Sequence, residues 1–296
     1  AKGGTGAIVE ALVKLLVELG GEVRLSTKVE EILVEGGGLR PKARGVRLQG
    51  GAELAADIVV SNAEAGFTYR HLLPEDARRT WTNEKVERTN FSMGLFVAYF
   101  GTKRRYDDCA HHTIALGPRY RELLDDIFIH KKLADDFSLY LHRPTATDES
   151  LAPPGGDAFY VLSPVPHLGA DRPVDWAAEG ERYRDKIFSY LEETMLPNLR
   201  QEIVTSRFIT PINFRDELSS MYGSGFSVEP TLLQSAYFRP HNKSEDVDGL
   251  FIVGGGTHPG AGMPGVLSTA KVVDRLIPRL PGAPQGSPIA GSHAGW

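Results

Sequence analysis

The stretch Gly249-Leu-Phe-Ile-Val-Gly-Gly-Gly-Thr-His-Pro-Gly-Ala-Gly-Met-Pro-Gly265 contains the pattern that decides the fold. Its first five residues are a glycine and four apolar residues, which predict a short buried strand. Six glycines and two prolines then crowd into one connection, and a helix is predicted from about Pro264 onward. Glycine allows a backbone to approach a ligand closely, and the N-terminus of the helix would point its free N–H groups at the same loop. The pattern therefore predicts a strand–loop–helix unit with a binding loop.

The class of ligand is narrowed by what this loop lacks. No Gly-Lys-Ser or Gly-Lys-Thr sequence ends it, which argues against nucleotide hydrolysis because no lysine reaches a terminal phosphate. The dinucleotide fingerprint Gly-x-Gly-x-x-Gly, with an acidic residue ~20 positions later, is absent from the start of the chain. A phosphate or the edge of a flavin suits the loop. A purely structural turn between strand and helix is the alternative interpretation.

Composition limits the function classes further. The chain has 296 residues, of which 41% are hydrophobic and 24% charged, as in a globular protein. Its net charge of -5 argues against a nucleic-acid partner. The single cysteine, Cys109, excludes an internal disulfide and a cysteine-rich zinc site, and fits a reducing cytoplasm. No run approaches the ~20 apolar residues that a membrane-spanning helix needs.

Periodicity predicts an α/β (α+β) chain. Apolar residues recur every three or four positions over 8–19, which predicts a helix, and Gly20-Gly21 ends it. Strands are predicted from alternation, and further helices from apolar spacing. The predicted strands cover 22–26, 28–34, 43–49, 53–61, 92–100, 137–142, 158–164 and 249–253, and the further helices cover 63–73, 118–130 and 177–196.

The order of these elements predicts two modules. One is discontinuous, formed by residues 1–70 and 247–280, and the other is the insertion 71–246. The last segment, 281–296, is rich in Gly, Pro, Ser and Ala, which predicts a flexible tail.

The segment Thr257-His-Pro-Gly-Ala-Gly-Met-Pro-Gly-Val266 resembles the C-terminal flavin signature of bacterial phytoene desaturases, which are FAD-dependent carotenoid desaturases. The resemblance extends in order from residue 2 to about 276, which is far more specific than one loop alone. The further matching segments are 3–7, 20–25, 59–63, 68–73, 110–113, 117–123, 136–142, 164–169, 226–230 and 238–242.

The resemblance implies a fold of the amine-oxidase and glutathione-reductase-like type. The discontinuous module would be a partial FAD-binding module, and 71–246 an inserted mixed sheet-and-helix domain facing substrate and membrane. The N-terminal Rossmann unit of the family is expected to be missing, so that this chain alone would hold FAD weakly. Gly255 and Met263 depart from the alanine and isoleucine frequent in the family. The implied cofactor contacts are Val29, beside the adenine, and Gly255, Gly256, Thr257, Gly262, Met263, Pro264, Gly265 and Val266.

The resemblance also implies a reaction. Two hydrogens would leave a saturated C–C bond of phytoene, a C40 polyene, with FAD as the acceptor. His258 lies inside the signature and is the candidate catalytic residue, as a hydrogen-bonding or proton-relaying group; the alternative is a structural histidine that holds the loop. The apolar run Phe91, Leu95, Phe96, Tyr99 and Phe100 either lines a substrate tunnel or forms ordinary core.

Three further expectations concern partners. A C40 hydrocarbon resides in the bilayer, so we expect peripheral attachment to the inner, cytoplasmic face of the membrane; a homo-oligomer is left open. His111 and His112 invite a metal assignment, but adjacent residues of a strand point to opposite faces, so no metal site is expected.

The alternatives to a phytoene desaturase are a C30 carotenoid desaturase, a carotene isomerase, or a non-catalytic fragment. An FAD amine oxidase shares the fold but lacks support from the motifs.

Overall fold

The computed structural model describes residues 1–36 and 40–278. The predicted tail at 281–296 lies outside the described residues. The helices are α1 (Gly4–Glu18), α2 (Ala65–Phe67), α3 (Asn83–Arg88), α4 (Tyr120–Phe128), α5 (Trp176–Thr194), α6 (Leu199–Glu202), α7 (Pro211–Leu218) and α8 (Met263–Leu276). The strands are β1 (Val29–Glu35), β2 (Lys42–Leu48), β3 (Glu53–Ala55), β4 (Val59–Ser61), β5 (Gly94–Thr102), β6 (His112–Ala115), β7 (Leu139–His142), β8 (Asp157–Val165), β9 (Ile203–Ile209) and β10 (Leu250–Ile252).

The strands form three sheets within the described residues. Strands β1, β2 and β3 make an antiparallel sheet, and β4 pairs in parallel with β10, far along the chain. The third sheet is antiparallel with the order β6-β7-β8-β5-β9. The β4–β10 pair joins the start of the chain to the segment that carries the glycine-rich loop.

Two predicted strands differ from the structure, and the structure adds β6, β9, α3, α6 and α7, which were not predicted. The predicted strand at 22–26 is wrong, because this segment is irregular and its apolar Val23 and Leu25 are 40% and 83% exposed. The predicted strand at 53–61 is divided: β3 pairs with β2, whereas Val59 and its neighbours in β4 pair with β10. Both errors have one cause, since alternation describes one segment and pairing depends on a distant partner.

Two buried apolar clusters hold the described chain together. One packs α5 against one face of the five-stranded sheet, with the Phe96 ring 5.0 Å from Tyr183 and 5.7 Å from Trp176. Phe96 and Phe100 are 0% and 3% exposed in this cluster, so for them the core interpretation is confirmed and the tunnel interpretation is wrong. The second cluster combines β1, β2, β4 and β10 with parts of residues 65–91 and 221–228. Each large apolar side chain buried in this way contributes about 1.5–3 kcal/mol.

Helix α1 lies outside both clusters. It has the predicted amphipathic spacing, yet no residue of α1 is buried. Leu12, Leu15 and Leu16 are each 46–50% exposed. Within the described ranges, no helix combines the length and apolarity that crossing a lipid bilayer would require.

Candidate functional site

The strand–loop–helix unit predicted at the end of the chain is present. Strand β10 is fully buried, and Val253 continues it by donating its N–H to the Ser61 carbonyl at 2.9 Å. Helix α8 then begins at Met263, with Pro264 in its first turn. Its N-cap, Gly262, has φ of +94° and offers no capping side chain, so the first N–H groups of α8 remain available beside the loop.

The loop walls a cavity of about 260 Å³, which we call the loop cavity. Of the predicted cofactor contacts, Gly255, Gly256, Gly262 and Val266 line it. Met263, Pro264 and Gly265 form the adjoining first turn of α8. The remaining lining residues come from the chain after β4, from the segment 214–227 and from the loop itself: Asn62, Ala63, Glu64, Phe214, Leu218, Ser220, Ser224, Gly225, Phe226, Ser227, Val253, Gly254 and Ala261.

Two glycines are required by close approach at this site. A Cβ added to Gly256 would lie 2.6 Å from the Ser227 hydroxyl oxygen, and one added to Gly265 would lie 2.6 Å from the Gly260 carbonyl oxygen. The second contact is with backbone and cannot be relieved by a rotamer change. The loop therefore folds tightly against α8 only because these positions lack side chains.

Sequence analysis missed Glu64, which anchors the wall of the loop cavity. Its carboxylate accepts hydrogen bonds from the Ser227 hydroxyl at 2.6 Å and from the Phe67 N–H at 3.1 Å. Burial raises the pKa of Glu64 above its usual value, and these hydrogen bonds partly oppose that rise. Glu64 follows the carboxyl end of β4, a parallel strand. That is a position where ligands gather in such sheets, and it is the signal that could have identified Glu64.

Arg239 braces the loop from the other side. The sequence resemblance included this residue but assigned it no role. Its Nη2 donates to the Gly255 carbonyl at 2.6 Å, and its side chain is only 6% exposed. Its Nε is buried without a hydrogen-bond partner in the described structure. Burial lowers the pKa of Arg239, while the charge of Glu64 opposes this shift. An unsatisfied cationic donor beside the loop suits an acceptor on a bound ligand.

The other three predicted site residues do not line the loop cavity as the described chain forms it. The Thr257 hydroxyl is fully buried, where it donates to the Gly254 carbonyl and accepts from the Asn242 amide, both at 3.1 Å. His258 is exposed on a separate cavity that also contacts His241. Val29 is the half-buried first residue of β1. The structure thus gives Thr257 a loop-holding position, and the roles predicted for all three stay predictions.

A second cavity adjoins the first. It measures about 470 Å³, its surface is mainly apolar, and we call it the apolar cavity. Three of its residues, Phe226, Ala261 and Gly262, also line the loop cavity. A molecule in the apolar cavity would therefore lie against a ligand of the glycine loop. The remaining lining residues are Ser92, Met93, Phe128, Glu229, Pro230 and Thr231.

The histidines at 111 and 112 are arranged differently from expectation. His111 precedes β6, so strand alternation does not separate it from His112. The two rings stack at 4.3 Å, and both lie within 5.0 Å of the His142 ring. The premise that they face opposite sides is wrong. Burial, together with the neighbouring imidazoles, lowers the pKa of His142 to about 4.

Comparisons with known proteins show which sequences this chain resembles. The chain is 52% identical over 284 residues to the neurosporene-forming phytoene desaturase of Rhodobacter capsulatus, covering 95% of this chain and 54% of that protein. It is 51% identical to the lycopene-forming phytoene desaturase of Pseudescherichia vulneris, covering 93% of this chain and 55% of that protein. The chain spans about half the length of the curated relatives it matches.

The fold has a counterpart among solved structures. An oxidoreductase from Methanosarcina mazei superposes with a TM-score of 0.61 at 21% identity, over 92% of this chain and 55% of that one. This likeness, together with the family match that follows, confirms the predicted amine-oxidase type of fold with mixed helices and sheets. The family model described as flavin containing amine oxidoreductase matches residues 1–273. The chain therefore belongs to the family of flavin-containing amine oxidoreductases, and this membership implies FAD as its cofactor.

Proposed function

We propose that this chain is the flavin-covering and substrate-facing part of a phytoene desaturase. The observation that carries the proposal is the shared wall of the two cavities. Phe226, Ala261 and Gly262 separate a glycine-rich cavity that contains Glu64 from an apolar one. A hydrocarbon in the apolar cavity would lie against a planar cofactor held by the loop. The names and about 50% identity of the relatives support phytoene as that hydrocarbon.

The residues of the loop cavity fit FAD. The backbone of Gly255, Gly256 and Gly262 would contact the cofactor closely, and the open N-terminus of α8 would face its anionic groups. Arg239 would hold the loop in place from outside the cavity through its hydrogen bond to the Gly255 carbonyl. When bound, FAD supplies the hydride acceptor that desaturation requires. The protein itself positions the substrate bond against the loop and excludes water.

A dinucleotide-binding unit would complete the site. Leu12, Leu15 and Leu16 present an apolar face of α1 that no described residue covers. Strands β4 and β10 form only a two-stranded parallel sheet, whereas parallel sheets are normally larger and covered on both faces. Both features are suited to a Rossmann unit docking against the discontinuous module 1–70 and 247–280, with 71–246 as the inserted domain. Without that unit, FAD would bind this chain weakly.

Glu229 is the proposed acceptor of the substrate proton. It borders the apolar cavity. It also borders a separate polar cavity, which is lined by Lys131 and His167. No hydrogen bond or ion pair engages its carboxylate within residues 1–36 and 40–278. A carboxylate oxygen at the edge of an apolar site can take the proton left after hydride removal, and the polar cavity would lead it outward.

An exposed apolar patch supports attachment to a membrane surface. Leu232, Leu233, Tyr237 and Phe238 are 86%, 74%, 76% and 60% exposed. They directly follow Pro230 and Thr231, which line the apolar cavity. Inserting this patch into the cytoplasmic leaflet would bring the cavity beside the hydrocarbon phase where a C40 polyene resides. A homo-oligomer is compatible with this arrangement.

The neurosporene-forming and lycopene-forming relatives are nearly equally similar to this chain, at 52% and 51% identity. The proposal is tested by a chimaera in which this chain replaces the matching part of the Rhodobacter capsulatus protein. The purified chimaera, with FAD, is given phytoene or a C30 analogue in liposomes, and the products are separated by chromatography.

We expect loss of phytoene and formation of more conjugated products, with little conversion of the C30 substrate. The Glu229→Gln chimaera should retain FAD but turn over at least about tenfold more slowly, since general-base catalysis contributes roughly 10²–10⁴-fold. A folded, flavin-loaded chimaera that converts only the C30 substrate, or isomerises without desaturating, would assign the chain to one of the alternative functions.

A further inference from the structure

Three histidines meet at the edge of the five-stranded sheet. His112 is the first residue of β6 and His142 the last of β7, and the two lie opposite one another in the strand register. His111 completes the group, so that one ring nitrogen from each residue lies within 4.8 Å of the others. The Nε2 atoms of His111 and His142 are only 2.9 Å apart. We call this group the three-histidine cluster.

Neighbouring hydroxyls orient two of the rings. The Nδ1 of His111 lies 2.6 Å from the Thr147 hydroxyl, and the Nδ1 of His112 lies 2.6 Å from the Tyr140 hydroxyl. If Nδ1–H donates in each case, Nε2 carries the lone pair. Metal-binding histidines commonly hold their second nitrogen in this way, which fixes tautomer and ring direction. This independent feature distinguishes the cluster from histidines that are merely adjacent.

We propose that His111, His112 and His142 bind one divalent transition-metal ion of the Zn²⁺ class. Three imidazole nitrogens with a solvent-facing fourth position form a ligand set that Zn²⁺ accepts, and imidazole also suits Cu²⁺ and Ni²⁺. His112 is exposed, which leaves room for the fourth ligand. None of the three histidines lines the loop cavity or the apolar cavity in the described structure, so the inference does not depend on the proposed function.

The ion would link β6 to its neighbour. Strand β6 has four residues, lies at the edge of the sheet and pairs only with β7 among the described strands. A metal held by His112 and His142 joins these strands across a register pair, and His111 ties in the segment before β6. An ion that binds the folded chain but not the unfolded chain stabilises the fold by mass action. The expected effect of the ion is therefore a more stable edge of the sheet.

The test uses the whole chain, stripped with a chelator and titrated with ZnCl₂ by calorimetry. We expect saturable binding of one ion per chain and a Zn²⁺-dependent rise in Tm that the chelator reverses. His142→Gln and His112→Gln should each weaken binding at least about tenfold. Thr147→Val, which removes only an orienting hydroxyl, should weaken it by roughly tenfold.

His130→Gln is the matched control, because His130 is exposed and outside the cluster. It should bind Zn²⁺ as the unchanged chain does. Circular dichroism of each metal-free variant checks that the fold is kept. Absence of one-to-one binding to the unchanged chain would overturn the proposal. Equal weakening by His130→Gln and His142→Gln would overturn it as well, since it would indicate unspecific surface binding.

Discussion

At the residue scale, Gly265 determines how closely the loop meets α8. The Gly265→Ala variant places a Cβ against the Gly260 carbonyl, a contact of 2.6 Å that backbone cannot easily relieve. We expect a loss of about 1–3 kcal/mol in the free energy of unfolding, measured by urea titration, because overpacking forces a backbone shift.

Gly6→Ala is the matched control for this change. Gly6 lies in α1 with no atom near its added Cβ, so alanine should stabilise by roughly 0.5–1 kcal/mol. Gly265→Ala behaving like Gly6→Ala would show that the loop does not depend on close approach at this position.

We expect the free energy of unfolding to depend on pH through His167. Its Nδ1 accepts the Gly169 N–H at 2.9 Å and therefore must be unprotonated. Burial, aided by the charge of Lys131, lowers the pKa of His167 to about 4 from its ordinary 6.5. The unfolded chain thus binds more protons between pH 6.5 and 4. The stability linked to this group is complete above pH 6.5 and is lost as the pH falls, by up to about 3 kcal/mol.

The variant His167→Gln should remove this part of the pH dependence. Urea unfolding at pH 7 and at pH 4.5 measures it, with the exposed His258→Gln as control. The difference in the free energy of unfolding between the two pH values should become smaller in His167→Gln and stay unchanged in His258→Gln. An equal difference in both variants and in the unchanged chain would contradict the assignment.

Individual site residues differ in how far sequence could identify them. Gly255, Gly256 and Gly262 were predictable because glycine density in one connection is a local signal. The Glu64–Ser227 contact and the brace from Arg239 were not, because they join segments 163 and 16 residues apart. His111 illustrates the same limit, since the strand began one residue later than the alternation argument assumed.

At the element scale, a buried charged network holds β8 to the chain that precedes it. Asp157 accepts hydrogen bonds from Arg143 Nε at 2.9 Å, from the Tyr106 N–H and from the Thr145 hydroxyl, both at 2.7 Å. The Asp157 and Arg143 side chains are 0% and 3% exposed. Arg143 also donates to the exposed Asp107 carboxylate at 2.8 Å and to the Cys109 carbonyl at 3.0 Å, so Asp157 is its buried ionic partner.

The Asp157→Asn variant should cost up to about 3–5 kcal/mol in the free energy of unfolding, since it removes the buried carboxylate partner of Arg143 and leaves only the exposed Asp107 carboxylate. Thermal and urea unfolding measure the loss. Glu179→Gln removes the exposed ion pair with Arg182 and should change stability by at most about 1 kcal/mol. A similar, small effect of both variants would show that the buried pair is not a stabilising element.

Helices and strands with clear sequence periodicity were predicted well. Strands that depend on pairing with a distant segment were not. Helices α1, α5 and α8 and strands β5 and β8 lie close to their predicted ranges because periodicity sets them. The segment 22–26 alternates like a strand but finds no partner in the described chain. The parallel pairing of β4 with β10 joins residues 59–61 to 250–252, a separation that no local pattern encodes.

At the scale of the whole molecule, the chain places the loop cavity and the apolar cavity side by side. The β4–β10 pair brings the end of the chain to its beginning, and the glycine loop follows directly from that pair. The five-stranded sheet supplies a separate buried cluster, and the residues 226–231 between them line the apolar cavity. The division at 70 and 247 stays a prediction, and the second cluster crosses it because residues 72–91 and 221–228 pack with β1, β2, β4 and β10.

The most direct test of the account is whether a substrate reduces the flavin at this site. The measurement is the visible absorbance of the FAD-loaded chimaera described above, mixed without oxygen with phytoene in liposomes. The account predicts bleaching of the flavin bands by phytoene and none with empty liposomes. Retained FAD that phytoene leaves fully oxidised would contradict the central claim that the loop and apolar cavities together form a desaturase site.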